Sequence, residues 1–275
     1  MIISHSCTLL SENMPWLVLI HGFGGTEKMW HHQIDDFKNT HNLLVLELPG
    51  HGSSPIGIGA YKGAGFDEVA KSIIDLLIQK NIKKADFICV SLGSLIMASI
   101  ISSRKDLVNS VVLCGAVFGM TSFSKIIYKT GSCFIHILPF MFSVKLLSKV
   151  LMPKETHKIS RKFLVEECQK LGRAEFIKWY SLTSKELYSL HNILGLFGNI
   201  KNLVIMGRED YIFLAPAKKA ARKLCGALNL HIIEDCGHVC SLQKWREFDF
   251  IVNKFLTYAD EIPEPLKPAA INEIE

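Results

Sequence analysis

The apolar positions of the chain change their period along its length. Six short runs rich in Val, Ile and Leu, at Trp16–Ile20, Leu43–Leu48, Phe87–Val90, Val111–Cys114, Leu203–Met206 and Leu230–Ile233, alternate with longer amphipathic segments. Continuous apolar runs of that length, separated by helical spacing, predict a mostly parallel, twisted sheet buried on both faces by helices, an α/β architecture. Val69, Ile73, Leu76 and Leu77 form one apolar helical stripe, and Trp245, Phe248, Val252 and Phe255 a second. Both read as core-facing.

The alternation stops between about residues 116 and 196, where Phe, Ile, Leu, Met and Lys dominate at helical spacing. This predicts a helical cap (116–196) inserted into an α/β core made of residues 1–115 and 197–258. A Pro-containing tail (259–275) follows, with the composition of a surface extension. Charge is unevenly placed: residues 121–180 carry eleven Lys and Arg against four Glu, +7, whereas the whole chain of 275 residues is +5. Such a surface suits an anionic partner, for which an acyl carrier protein, coenzyme A or an acidic lipid surface are the candidates.

Composition removes several classes. At 49% hydrophobic and 21% charged the chain has the material for a core, so disorder is excluded as its main state. The basic residues come without a stacking motif or a DNA-binding pattern, so no nucleic-acid role is expected. The stretch Cys133 to Val144 is broken by His136 and Pro139 and falls short of the roughly 20 apolar residues a membrane span needs. No signal-peptide pattern opens the chain, and eight scattered cysteines, at 7, 89, 114, 133, 168, 225, 236 and 240, read as reduced thiols, so a cytoplasmic location is expected.

The candidate chemistry lies on loops that follow the strand-like runs. Cys89-Val90-Ser91-Leu92-Gly93 puts a serine at a strand-to-helix junction, with a helix expected from Leu92 to about Ser102. A sharp turn there exposes the hydroxyl and leaves the next N–H, that of Leu92, free. His21-Gly22-Phe23-Gly24-Gly25 follows the first run, and its glycines let the backbone aim an N–H, that of Phe23, at a developing oxyanion. His21 and Gly22, beside it, are candidate substrate contacts. Gly207-Arg208-Glu209-Asp210 and Asp235-Cys236-Gly237-His238 follow the last two runs, so an acid and a histidine can meet the serine above one sheet edge. Glu209 and Asp210 compete for the acid position, and the Gly-x-x-Asp spacing from Gly207 favours Asp210. Cys236, His238 and Cys240 also stand close enough in sequence to be weighed as metal ligands, but a zinc site needs a fourth ligand, so neither a metal nor another cofactor is expected.

The chain order Ser91, Asp210, His238, with the glycine turn upstream and Pro49-Gly50-His51-Gly52-Ser53-Ser54 between, resembles the α/β-hydrolase family, in its serine esterase-like branch with a helical cap. The likeness runs from about Trp16 to Leu256 apart from the middle segment. It implies Ser91 as nucleophile, His238 as general base and Asp210 as the group that orients it, with Phe23 and Leu92 supplying the oxyanion N–H groups. It implies further that the apolar residues of the cap, Phe134 and Phe140 among them, line a pocket for the acyl group of an ester or thioester. Esterases acting on a methyl ester of a pimeloyl-acyl carrier protein share this layout; relatives that hydrolyse carbon–carbon bonds, lyases of menaquinone synthesis and inactive binding relatives are the alternatives. Two positions depart from the family pattern: Cys89 replaces the first glycine of the serine turn, and Glu47 stands where Asp is usual. The short segment before Trp16 implies a trimmed leading part of the sheet.

Overall fold

The computed structural model describes residues 3–55, 65–189 and 193–257, which leaves the tail 259–275 outside the described residues. Seven strands form one sheet: β1 (Ser4–Thr8), β2 (Trp16–Ile20), β3 (Asn42–Glu47), β4 (Ala85–Val90), β5 (Val108–Cys114), β6 (Lys201–Gly207) and β7 (Leu230–Ile233). Their spatial order is β1-β3-β2-β4-β5-β6-β7, antiparallel only between β1 and β3. The remaining neighbours are parallel, as the apolar runs predict.

Side-chain alternation explains the two-sided burial. On β2, Val18 and Ile20 enter one core while Leu17 and Leu19 enter the other; on β4, Phe87 and Cys89 oppose Ile88 and Val90; on β6, Val204 and Met206 oppose Leu203 and Ile205. A strand with period-two side chains needs apolar residues at every position when helices cover both faces. Helices α2 (Phe66–Gln79) and α3 (Gly93–Arg104) cover the first face, and α1 (His31–Phe37) and α10 (Trp245–Thr257) the second. In the two stripes Val69, Ile73, Leu77, Phe248, Val252 and Phe255 are buried; Leu76 and Trp245 lie at the margins.

Strands extend beyond their apolar runs where a buried polar residue finds partners. Asp86 on β4 accepts hydrogen bonds from Ser110 Oγ at 2.5 Å and Asn109 Nδ2 at 2.8 Å across to β5. Asn202 on β6 donates to the carbonyls of Phe197, Ile200 and Ala227. Strand β1 has no apolar signature, Ser-His-Ser-Cys-Thr, and is half exposed. It is held by its ladder with β3 and by Ser4, whose N–H donates to Ser54 Oγ and whose Oγ donates to the Ser53 carbonyl. One antiparallel edge strand therefore stands where a trimmed sheet is expected.

Between β5 and β6 the chain runs through α4 (Ser122–Ile137), α5 (Phe140–Leu151), α6 (Lys158–Ser189) and α7 (Ile193–Phe197). Helix α6 is interrupted at Gly172, where φ is +79°. Ile135, Val144, Cys168, Phe176 and Tyr180 form a small core of their own among α4, α5 and α6. Trp179 of α6, wholly buried, ties this layer to the sheet by donating its indole N–H to the Pro49 carbonyl at 3.0 Å. Helix α8 (Leu214–Lys223) joins β6 to β7, and the short α9 (Cys240–Gln243) precedes α10.

Candidate active site

Strand β4 ends at Val90, and Ser91 adopts φ +49°, a left-handed conformation that an L-residue with a Cβ enters only at a cost. The surroundings hold it there. Its N–H donates to the Cys114 carbonyl of β5 at 2.8 Å, and its own carbonyl accepts from Ser94 N–H at 2.8 Å and Ser94 Oγ at 2.6 Å. The turn also brings α3 against β2: a Cβ on Gly93 would sit 2.8 Å from the Ile20 carbonyl oxygen, so the helix can start here only on glycine. Cys89, by contrast, turns its side chain into the core, where burial raises its thiol pKa and keeps it neutral. Its departure from the family pattern touches the packing and not the exposed edge of the turn.

Ser91 Oγ donates to His238 Nε2 at 2.8 Å. His238 Nδ1 donates in turn to Asp210 Oδ2 at 2.7 Å. Asp210 is itself fixed, because its Oδ1 accepts the backbone N–H groups of Ile212 at 3.3 Å and Phe213 at 3.0 Å at the start of α8. Asp210 and His238 are both buried. Burial alone would lower the imidazole pKa, but the charge and hydrogen bond of Asp210 outweigh it, and the His238 pKa is raised above the ordinary 6.5. The competing acid points elsewhere: Glu209 Oε2 meets His157 Nε2 at 2.7 Å and its Oε1 meets Lys154 Nζ at 2.5 Å, both from the segment leading into α6.

The glycine turn after β2 sits opposite Ser91. Phe23 and Leu92 flank the serine, and neither backbone N–H has an acceptor among the described residues. Gly24 has φ +66°, and a Cβ there would collide with Cys168 Sγ of α6, so the inserted helices rest directly on this turn. His21 does not reach the pocket. It is fully buried, its Nδ1 donates to the Gly22 carbonyl at 2.7 Å, and its Nε2 accepts the Leu48 N–H at 2.9 Å. Burial lowers its pKa to about 4, so it stays neutral and serves to bind the β2 turn to the β3 turn. His51 does the same for Gly24, whose N–H donates to its Nε2 at 3.1 Å. The signal for these roles, a His in each glycine-rich turn, is present in the sequence, but it does not distinguish a tie from a substrate contact.

A pocket of about 60 Å³ opens beside Ser91, walled by Gly22, Phe23, Leu151, Phe163, Leu164 and Leu242. Ser160 of α6 also borders it, and its hydroxyl is buried with no hydrogen-bond partner among the described residues. Phe134 and Phe140 lie away from this pocket: Phe134 borders a second, larger cleft and Phe140 packs edge-on against Phe176 in the small core of the inserted helices. Helical periodicity marks such residues as apolar but not which side of a helix layer faces the serine. His157, Ser160 and Phe163 carry no sequence motif and come to the site only through the packing of α6. Cys236 and Cys240 are buried, and both ring nitrogens of His238 are engaged by Ser91 and Asp210.

A family model described as the alpha/beta hydrolase fold matches residues 15–132. The chain is 41% identical over 83 residues to a 2-succinyl-6-hydroxy-2,4-cyclohexadiene-1-carboxylate synthase of Enterobacter sp. (strain 638), covering 29% of each chain. It is 30% identical over 105 residues to an (E)-2-((N-methylformamido)methylene)succinate hydrolase of Acinetobacter baylyi, covering 38% of this chain and 39% of that one. The aligned segments thus span well under half of these curated relatives. An esterase from Exiguobacterium antarcticum superimposes with a TM-score of 0.76 at 14% identity, over 92% of this chain and 95% of that one, a likeness of fold. With its sheet order and inserted helices, the chain has the α/β-hydrolase fold.

Proposed function

We propose that this protein is a serine hydrolase that cleaves a carboxylic ester or thioester of an acyl substrate through an acyl-enzyme. The observation that carries the reading is the unbroken line Ser91 Oγ, His238 Nε2, His238 Nδ1, Asp210 Oδ2, with both bonds under 2.9 Å. A serine hydroxyl is a weak nucleophile at its own pKa and needs a base to take its proton as it attacks. In this reading His238 takes that proton, Asp210 holds the tautomer and stabilises the imidazolium, and His238 then returns the proton to the leaving group. The free N–H groups of Phe23 and Leu92 receive the oxyanion; loss of one such donor typically costs about 2.7–4 kcal/mol of barrier. Water then releases the acyl group. The unpaired cysteines among the described residues support a reducing, cytoplasmic setting.

The test is hydrolysis of p-nitrophenyl esters from acetate to decanoate by the wild type, Ser91→Ala and His238→Ala. We expect turnover that falls by about 10³-fold or more in both variants. A Ser91→Ala protein as fast as the wild type would overturn the reading. The curated relatives, one named a synthase and one a hydrolase of a substituted succinate, favour a second reading, a lyase or a hydrolase of a bond other than an ester on the same residues. It would show as no ester turnover combined with Ser91-dependent labelling by a fluorophosphonate probe.

A further inference from the structure

The positive charge of the inserted helices is not spread evenly once its partners are counted. Along α6 and the segment leading into it, Lys154, Arg161, Lys162, Lys170 and Lys178 each meet a glutamate, at Glu209, Glu155, Glu166, Glu167 and Glu175, while Arg173 donates to the His136 carbonyl and Lys158 has no ion pair among the described residues. Residues 121–151, which include all of α4 and α5, contain Lys125, Lys129, Lys145 and Lys149 and no Asp or Glu. All four lysines are exposed, and none has an ion-pair partner among the described residues.

The same two helices expose large apolar side chains. Ile126 is 64% exposed, Ile137 77%, Phe142 56%, and Phe134 and Leu146 close to half. At 100° per residue, Ile126, Phe134 and Ile137 fall within about 80° of arc on α4, while on α5 Phe142 and Leu146 lie about 40° apart with Lys145 and Lys149 beside them. An apolar stripe bordered by lysines, with no acid, is the pattern of a helix that lies in the headgroup layer of an anionic bilayer. Scattered exposed apolar residues need no explanation, but five within 21 residues form a patch.

A cleft of about 290 Å³ opens between α4 and α5 at this patch, with Ile126, Phe134 and Leu146 on its rim and Phe176 and Leu151 at its depth. Leu151 also walls the pocket at Ser91, and Phe176 packs against Phe23, ring centres 5.0 Å apart. The apolar surface therefore runs from the exposed patch to the serine turn.

We infer that α4 and α5 form a docking surface for an anionic lipid bilayer, with Ile137 and Phe142 entering the interface and Lys125, Lys129, Lys145 and Lys149 meeting lipid phosphates. The docking stands apart from the hydrolase reading. An acidic carrier protein would use the lysines but leave the apolar stripe unmatched, so the bilayer fits more of what is there.

The experiment is cosedimentation of the full chain, as Ser91→Ala so that turnover plays no part, with vesicles of phosphatidylcholine alone or with about 30 mol % phosphatidylglycerol. We expect partition at least about tenfold stronger on the anionic vesicles, weakening with salt. Two variants, Ile137→Glu with Phe142→Glu, and the four lysines changed to Glu, should each lose that partition by about tenfold or more, with circular dichroism and melting temperature unchanged. The inference is overturned if the protein stays in solution with both vesicles, or if correctly folded variants bind as the parent does. It is equally overturned if a titration shows an acidic acyl carrier protein binding the lysine face while the vesicles do not.

Discussion

Ser91 and its neighbours show how one residue's conformation depends on atoms far away in sequence. The serine's positive φ is held by bonds to Cys114 and Ser94, and its hydroxyl is aligned by a histidine 147 residues on. The raised pKa of His238 has a direct kinetic consequence. The imidazole must be neutral to accept the serine proton, so kcat/KM should fall as pH falls through a pKa above 6.5. Asp210→Asn removes the charge that outweighs burial. We expect its kcat to drop by about 10⁴-fold and its acidic limb to move to lower pH, checked by a pH–rate profile on p-nitrophenyl acetate. A limb that stays in place would mean that Asp210 does not set the protonation of His238. Legibility at this scale was uneven: Ser91, Asp210 and His238 stand in the sequence on loops after strands, but that His21 is a tie between turns follows only from where its two nitrogens find partners.

Among elements, the decisive contact is between the inserted helices and the loop that carries the acid. His157 is wholly buried, its ring lies against Gly237, and it joins Glu209, one residue before Asp210. Thr26, donating to Glu167 Oε2 at 3.1 Å, makes a second tie near the glycine turn. His157→Ala leaves a cavity and deprives a buried carboxylate of one partner. We expect a loss of about 2 kcal/mol, or ~4–8 °C in melting temperature, with KM for p-nitrophenyl esters raised more than kcat is lowered. An unchanged melting temperature would remove this tie from the energetics. No periodicity in the sequence announces it, because the helical spacing of α6 says which residues share a face and nothing about what that face meets.

At the scale of the whole molecule, the pairing of α1 with α10 controls how stability responds to pH. Gln33 Nε2 donates to Asp249 Oδ1 at 2.8 Å, while Asp249 Oδ2 and Gln33 Oε1 are buried with no partner among the described residues. Burial, and the nearby Asp36 carboxylate, raise the Asp249 pKa to about 8 from an ordinary 3.8. A carboxyl raised in the folded state favours folding while protonated, so its contribution is full below the unfolded pKa and is lost as pH rises from about 4 through about 8. Asp249→Asn keeps the acceptor for Gln33 and adds a donor in place of the ionisable oxygen. The variant should melt higher than the wild type by about 2–4 °C near pH 8, the gap closing toward pH 5, as scanning calorimetry would show.

By itself the sequence determined the six parallel strands of the sheet, because strands covered on both faces read as continuous apolar runs and that pattern needs no knowledge of neighbours; β1, which has no such run, is placed only by its pairing with β3. It also carried the order of the loop residues, since parallel strands deliver their carboxyl ends to one edge. The tertiary structure supplied the reason that Asp210 and not Glu209 faces His238: consecutive loop residues point in different directions, and the packing of Lys154 and His157 claims Glu209. It decided too that Phe134 and Phe140 stand off the serine pocket while Leu151 and Phe163 wall it. Helical periodicity fixes a face, and only the docking of one helix layer on another gives that face a neighbour.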